Sequence, residues 1–192
     1  MFTFFCCVTG GEEIQRECRE HIKVNGALLP AKFYVSKSGR LPCKAVIHAV
    51  GPIWSSGREN EKNLLYEIVW NVLEEAESRS FTSVALPAIS TGIYRFPLQL
   101  ATTIILNAIK NFVEQSLPSQ KLREVHIIDQ IASTISQFCE TADTVFKDVE
   151  DAEIERVSAN DDSSNKLAAQ TSRQSKHRTF NFQLYTTLVV RN

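Results

Sequence analysis

The chain of 192 residues has no excess of positive charge, no CxxC pair, no paired-histidine spacing, no internal repeat and no long hydrophobic run. Each absence excludes something. A bilayer-spanning helix needs about twenty consecutive apolar residues, so no membrane partner is expected. Lys and Arg number 21 against 22 Asp and Glu, a formal net charge of -1, which gives no general electrostatic attraction to a phosphate backbone; no direct nucleic-acid partner is expected. The five cysteines, Cys6, Cys7, Cys18, Cys43 and Cys139, are odd in number and lack metal-ligand spacing. Neither a zinc site nor a disulfide framework follows from them, and they read as reduced thiols of an intracellular protein, in the nucleus or the cytoplasm. What is present is a chain with 43% hydrophobic residues, enough for one cored domain with appendages.

Periodicity orders that domain. Residues 12–22 read as a helix whose apolar face is Ile14, Cys18 and Ile22. Residues 32–36 and 44–50 read as strands, the second so continuously apolar that a central place in a sheet is expected. A long helix over 59–80 turns Leu64, Leu65, Ile68, Val69, Val72 and Leu73 inward, and a short buried strand follows over 82–87. A helix opening on Pro97 runs to about residue 115. A strand over 121–129 and a helix over 132–147 complete the alternation, which predicts an α/β fold, a three-layer α/β/α sandwich with a mixed, mostly parallel sheet and ligand loops at strand C-termini. Beyond residue 148 few large apolar side chains remain, and a disordered tail is expected over 148–192. Within it, 180–190 is apolar and β-branched, consistent with a terminal strand or an exposed sticky tail.

Between the strand ending near residue 87 and the helix opening at Pro97 lies Ala88-Ile-Ser-Thr-Gly-Ile-Tyr-Arg-Phe96. A small, hydroxyl-rich turn of this kind can point the N–H groups of residues 90–94 at an anion, with the following helix N-terminus adding its dipole. The same residue types also serve ordinary turns and caps. Two further segments decide the reading: Cys43-Lys-Ala-Val-Ile-His-Ala-Val-Gly-Pro-Ile-Trp54 and Ile14-Gln-Arg-Glu-Cys18. Together with the turn, in this order and separation, they resemble a macrodomain, the ADP-ribose-binding module, most closely those of the B-aggressive-lymphoma-type poly(ADP-ribose) polymerase family.

The resemblance runs from about residue 10 to about residue 147. The family's opening strand, its adenine-reading aspartate, its Asn-Ala-Ala-Asn turn and its triple-glycine loop have no counterpart here, and Gly10-Gly11 resembles the pair found after the family's first helix. The chain thus reads as an apolar leader or replacement strand over 1–9, a partial macrodomain over 10–147, incomplete at its N-terminus, and the tail. An unpaired sheet edge left in this way suggests self-association.

For the site, the resemblance implies that Ser90, Thr91, Gly92, Ile93 and Tyr94 hold the diphosphate and wall the ribose, and that Phe96 abuts the ligand or belongs to the core. Val50, with Gly51 and Pro52, borders the crevice. Asp129 and Gln130 stand on the adenine side, with helix capping as the alternative for Asp129. Arg95 stands where the family has glycine, able either to pair with a phosphate or to force a different turn. His48, in an apolar strand, reads as structural rather than as an acid or base. The implied function is recognition of ADP-ribose, free or protein-linked, weakened by loss of the first loop and requiring no cofactor. A truncated, non-binding interaction fragment is the alternative. A hydrolase is a third reading that lacks its first loop, and neither catalytic nor metal-binding residues nor a transferase activity are expected.

Overall fold

The structure, a computed structural model, describes residues 10–115, 117, 119–147 and the backbone of 181–185. The expectations for residues 1–9 and 148–180 lie outside the described residues. Nine elements follow one another: α1 (Glu12–Asn25), β1 (Phe33–Lys37), β2 (Ala45–Ala49), α2 (Glu61–Ser78), β3 (Ser83–Leu86), α3 (Leu98–Glu114), β4 (Glu124–Ile128), α4 (Ala132–Val145) and β5 (Asn181–Tyr185). The α/β alternation read from the sequence is present in order.

The strands alternate their side chains between two faces, and the β1–β2 hairpin shows what covers each. Its antiparallel register sets Phe33 opposite Ala49, Tyr34 opposite His48 and Ser36 opposite Val46. Phe33, Ile47 and Ala49 pack against the main core, which α2, α3 and α4 build with Leu65, Ile68, Val69, Ile105, Leu106, Ile109 and Phe138. On the other face Tyr34 stacks on His21 of α1, with ring centroids 4.0 Å apart. His48 Nε2 there lies within hydrogen-bond distance of Ser36 Oγ, at 2.8 Å, and of Cys18 Sγ, at 3.5 Å. Helices therefore flank the hairpin on both sides, giving the three layers.

His48 is thus a packing histidine, as its apolar strand suggested. Burial lowers its pKa below the ordinary 6.5, against an opposing pull from Glu17. A group whose folded pKa is depressed contributes stability above its unfolded pKa and loses it as pH falls through the folded one. Replacing His48 by Gln, which keeps a hydrogen-bonding group beside Ser36, is expected to remove the part of acid destabilisation that sets in below about pH 6.5. Thermal melts of both chains at about pH 7.5 and about pH 5.5 check this; equal losses in both would refute it.

Three expectations are corrected. Ile14 is fully buried in α1, but Ile22 is 51% exposed, so the apolar face of this helix engages only at its N-terminal half. Residues 44–50 were expected as a strand at the centre of a sheet; among the described residues β2 pairs with β1 alone, and all five of its residues are half-buried. The strands form two separate ladders: the antiparallel pair β1–β2, and β3–β4–β5, whose strands are parallel. A continuous apolar run reports burial without naming neighbours. Finally, residues 181–185 lie inside the expected tail but form β5, with Glu124 opposite Asn181 and Ile128 opposite Tyr185. The aromatic residues Phe182 and Tyr185 belong to a segment that finds an open edge on β4, and backbone pairing there offsets the entropy of ordering.

Candidate functional site

Two loops converge where β2 and β3 end. The first leaves β2 through Val50, Gly51 and Pro52; the second leaves β3 through Pro87 and reaches Pro97. Gly51 is buried against the second loop, and a Cβ there would collide with Ser90 Oγ and with Ile89 Cγ2. Only glycine permits this approach. Farther along, the Trp54 N–H donates to Tyr94 O at 2.9 Å, and the Trp54 ring tilts against Phe96 with centroids 4.6 Å apart. The two loops are therefore one body.

The turn between Ser90 and Phe96 closes on itself. The Phe96 N–H donates to Ser90 O at 3.0 Å, Arg95 N–H to Gly92 O at 2.9 Å, and the Thr91 hydroxyl to Ala88 O at 2.8 Å. These bonds consume carbonyls and leave the N–H groups of Gly92, Ile93 and Tyr94 without a partner among the described residues. Ser90 and Arg95 hold positive φ, 67° and 54°, a conformation costing a non-glycine residue about 1–2 kcal/mol each. Ser90 Oγ is buried without a hydrogen-bond partner. That hydroxyl is turned against Gly51, whereas three consecutive N–H groups left unpaired in one turn suit an acceptor-rich ligand.

The sequence-derived residues take different places here. Ser90, Thr91, Gly92 and Tyr94 form the turn together, and Ile93 stands out from it at 81% exposure. Gly92 carries no positive φ, and a Cβ there would meet nothing within 4 Å. The fold itself does not require glycine at 92; the room above it is open. Phe96 is 2% exposed and sits in the core beneath the turn, so the core alternative describes its side chain. Val50 is half-buried at the foot of the first loop, its N–H and C=O both bonded toward β1. Because Leu86 of β3 pairs beside Ile127 of β4, Asp129 emerges at the same end of the ladder as Pro87. Its Oδ1 accepts the Ile131 N–H at 2.8 Å, an Asx turn ahead of α4, whose N-cap position is Ile131 and carries no side-chain cap, so Asp129 does not cap the helix. Arg95 is exposed on the turn, and Gln130 is exposed beyond β4.

Sequence reasoning missed Glu61. It lies at the start of α2, 3% exposed, and its carboxylate accepts the N–H groups of Ser55, Ser56, Gly57 and Glu59 and the Ser55 hydroxyl, at distances between 2.7 and 3.2 Å. Burial raises its pKa, but the hydrogen bonds, including one to its own backbone, outweigh burial and hold the carboxyl well below the ordinary 4.5. Glu61 thereby fastens the loop that carries Trp54 to the turn. A Cβ on Gly57 would lie 2.5 Å from the Trp54 ring, so this loop also needs glycine where it passes the indole. The signal was legible: a glycine three residues after a tryptophan and a glutamate four residues later, at a helix start. Among the described residues no group of three His, Cys, Asp or Glu side chains is placed to hold a metal ion, and no helix is long and apolar enough to cross a membrane.

A model of the Macro domain family matches residues 8–105. The chain is 40% identical over 139 residues to the human protein mono-ADP-ribosyltransferase PARP14, which covers 71% of this chain but only 8% of that protein. It is 38% identical over 112 residues to an O-acetyl-ADP-ribose deacetylase of Citrobacter rodentium, covering 58% of this chain and 63% of the enzyme. Among solved structures, the Oceanobacillus iheyensis macrodomain with ADP superposes with a TM-score of 0.67 at 26% identity, over 74% of this chain and 75% of that one. A glycine-to-valine mutant of the same macrodomain, with ADPR, gives 0.66 at 27% identity over 72% and 74%.

Proposed function

Because the chain belongs to the macrodomain family, we propose that it recognises ADP-ribose, free or attached to protein, and docks it on the turn between Ser90 and Phe96 without transforming it. The observation that carries this reading is the run of N–H groups at Gly92, Ile93 and Tyr94 without a partner among the described residues. Such groups satisfy phosphate oxygens at close range, and Arg95 on the same turn adds a fixed positive charge. Ile93 offers an apolar edge to a ribose. Asp129, at the neighbouring strand end, keeps its second carboxylate oxygen for an exocyclic amine or a ribose hydroxyl.

The deacetylases among the relatives give hydrolysis a place as a second reading. Against it stands the chemistry of the turn: it supplies backbone donors, hydroxyls and a cation, and none of the residues from Ser90 to Phe96 is a carboxylate or a histidine. Activating a water needs a base held within hydrogen-bond reach of it.

A thermal melt with and without millimolar ADP-ribose tests recognition. Ligand at ten times its Kd adds about 1.4 kcal/mol, which for a domain of this size is a rise of roughly 3–6 °C. A cooperative transition that ADP-ribose does not move would overturn the assignment. Release of ADP-ribose from a modified protein, followed in the same samples, would replace recognition by hydrolysis.

A further inference from the structure

We infer that α2, beside the end of α3, carries a second recognition site: an aromatic groove that takes the guanidinium group of an arginine side chain on a partner polypeptide. The groove shares no residue with the turn between Ser90 and Phe96, and the inference stands independently of the ADP-ribose reading. Three observations lead to it.

First, an open groove of about 330 Å³ is lined by Tyr66, Glu67 and Trp70 of α2 and by Gln115, just past the last residue of α3. Tyr66 and Trp70 stand four residues apart, on one helical face. Their rings are nearly parallel, with 14° between the planes and centroids 6.2 Å apart. The two faces therefore share one orientation, which suits a flat group.

Second, the rings are held in place by α3 before any ligand arrives. Asn111 Nδ2 donates to the Tyr66 hydroxyl at 3.1 Å. Trp70 meets Phe112 edge to face, with centroids 5.5 Å apart and 76° between the planes. Side chains fixed in advance lower the ordering cost of binding.

Third, the charge beside the rings is negative and unanswered. Glu67 is exposed and makes no hydrogen bond or ion pair among the described residues. The basic residues of these helices do not reach it: Arg79 pairs with Glu75, Lys110 donates to Val145 O, and Lys62, five residues before Glu67, lies off its stripe. Glu74, four residues beyond Trp70, and Glu114, next to Gln115, are exposed carboxylates that add to the negative field.

Aromatic faces with a carboxylate beside them select a cation. A guanidinium is planar and weakly hydrated, stacks on aromatic rings and gives a carboxylate two parallel N–H bonds, whereas an ammonium is a compact, strongly hydrated point charge that gains less from a flat wall. A free amino acid would bring its own carboxylate against Glu67, Glu74 and Glu114. In a polypeptide that group is an amide, so the occupant is an arginine within a chain.

Titrating the full chain with the blocked peptide acetyl-Gly-Gly-Arg-Gly-Gly-amide, followed through the indole N–H signals of Trp70 and Trp54 by NMR, tests the site. A saturable shift of Trp70 with Trp54 unmoved is expected, with a Kd on the order of 1–10 mM. Lysine in place of the peptide's arginine should weaken binding at least about threefold, and so should Glu67→Gln, which removes an exposed, unpaired charge and leaves the fold intact. No saturable shift of Trp70 up to about 50 mM peptide overturns the inference. Equal affinity for the lysine peptide overturns it too, by marking a merely acidic surface, as does an affinity that Glu67→Gln leaves unchanged. Tighter binding of a trimethyllysine peptide would replace the flat ligand by a rounded one, and free arginine bound as tightly as the peptide would remove the polypeptide.

Discussion

Gly92→Glu is expected to weaken the proposed ADP-ribose binding at least about 100-fold and to leave the fold intact. The position is open space, with no atom within 4 Å of a built Cβ and no positive φ, so a side chain there is accommodated without strain. On the proposed reading the anion sits on the N–H groups of this same turn, and a carboxylate at 92 would crowd it and repel it. Losing two charge-assisted hydrogen bonds of about 1.5–3 kcal/mol each weakens binding by at least about 100-fold. Gly92→Ala serves as the control, because it adds bulk without charge and should change stability by no more than about 0.5 kcal/mol. Calorimetric titration of parent and variants, with melts of each, checks both parts. Unchanged affinity in Gly92→Glu would remove the turn from the site.

Glu61→Gln is expected to produce the largest loss of stability from one polar substitution near the site, together with a roughly tenfold weaker affinity for ADP-ribose. Five donors converge on this carboxylate. An amide of the same shape turns an NH2 group against N–H donors and leaves buried groups unpaired, so the melting temperature falls by several degrees. The binding loss follows from the geometry: the loop held by Glu61 carries Trp54, whose N–H and ring support Tyr94 and Phe96. The pH dependence fixes the cause. With a folded pKa depressed below the ordinary 4.5, Glu61 contributes fully above that value and loses its contribution as pH falls through the folded one. The gap in melting temperature between parent and variant should therefore be widest at neutral pH and narrow toward about pH 3. A gap independent of pH would mean that shape rather than charge is at stake.

The order of elements was legible because helical and strand periods persist through 61–78, 98–114 and 124–128 even without neighbours. The turn at 90–96 was legible for a different reason: its residue types carry local backbone chemistry that survives removal from context. What escaped the sequence depends on pairing at a distance. The apolar run at 45–49 reported burial but not which strands lie beside it, and the segment at 181–185 gave no sign that the edge of β4 would receive it. Phe96 and Asp129 each had two roles compatible with the same residue type. Packing with Trp54 places the Phe96 side chain in the core, and Asp129 turns the chain through Ile131 instead of capping the helix; neither contact is visible along the chain. Glu61 was overlooked because a glutamate opening a helix is ordinary at the surface: the spacing from Trp54 through Gly57 marks the loop, but the five donors closing over the carboxylate are seen only in the fold.

The fit of Gly51 against Ser90 has a consequence for engineering and for inheritance alike. Since a Cβ at 51 would strike the hydroxyl of 90, the two loops cannot be exchanged one at a time between related domains without carrying both surfaces of that contact. A chimera that takes residues 87–97 from a donor must also take the stretch from Val50 to Glu61. Altered specificity in this domain would then arise by transplanting the two loops as a single cassette.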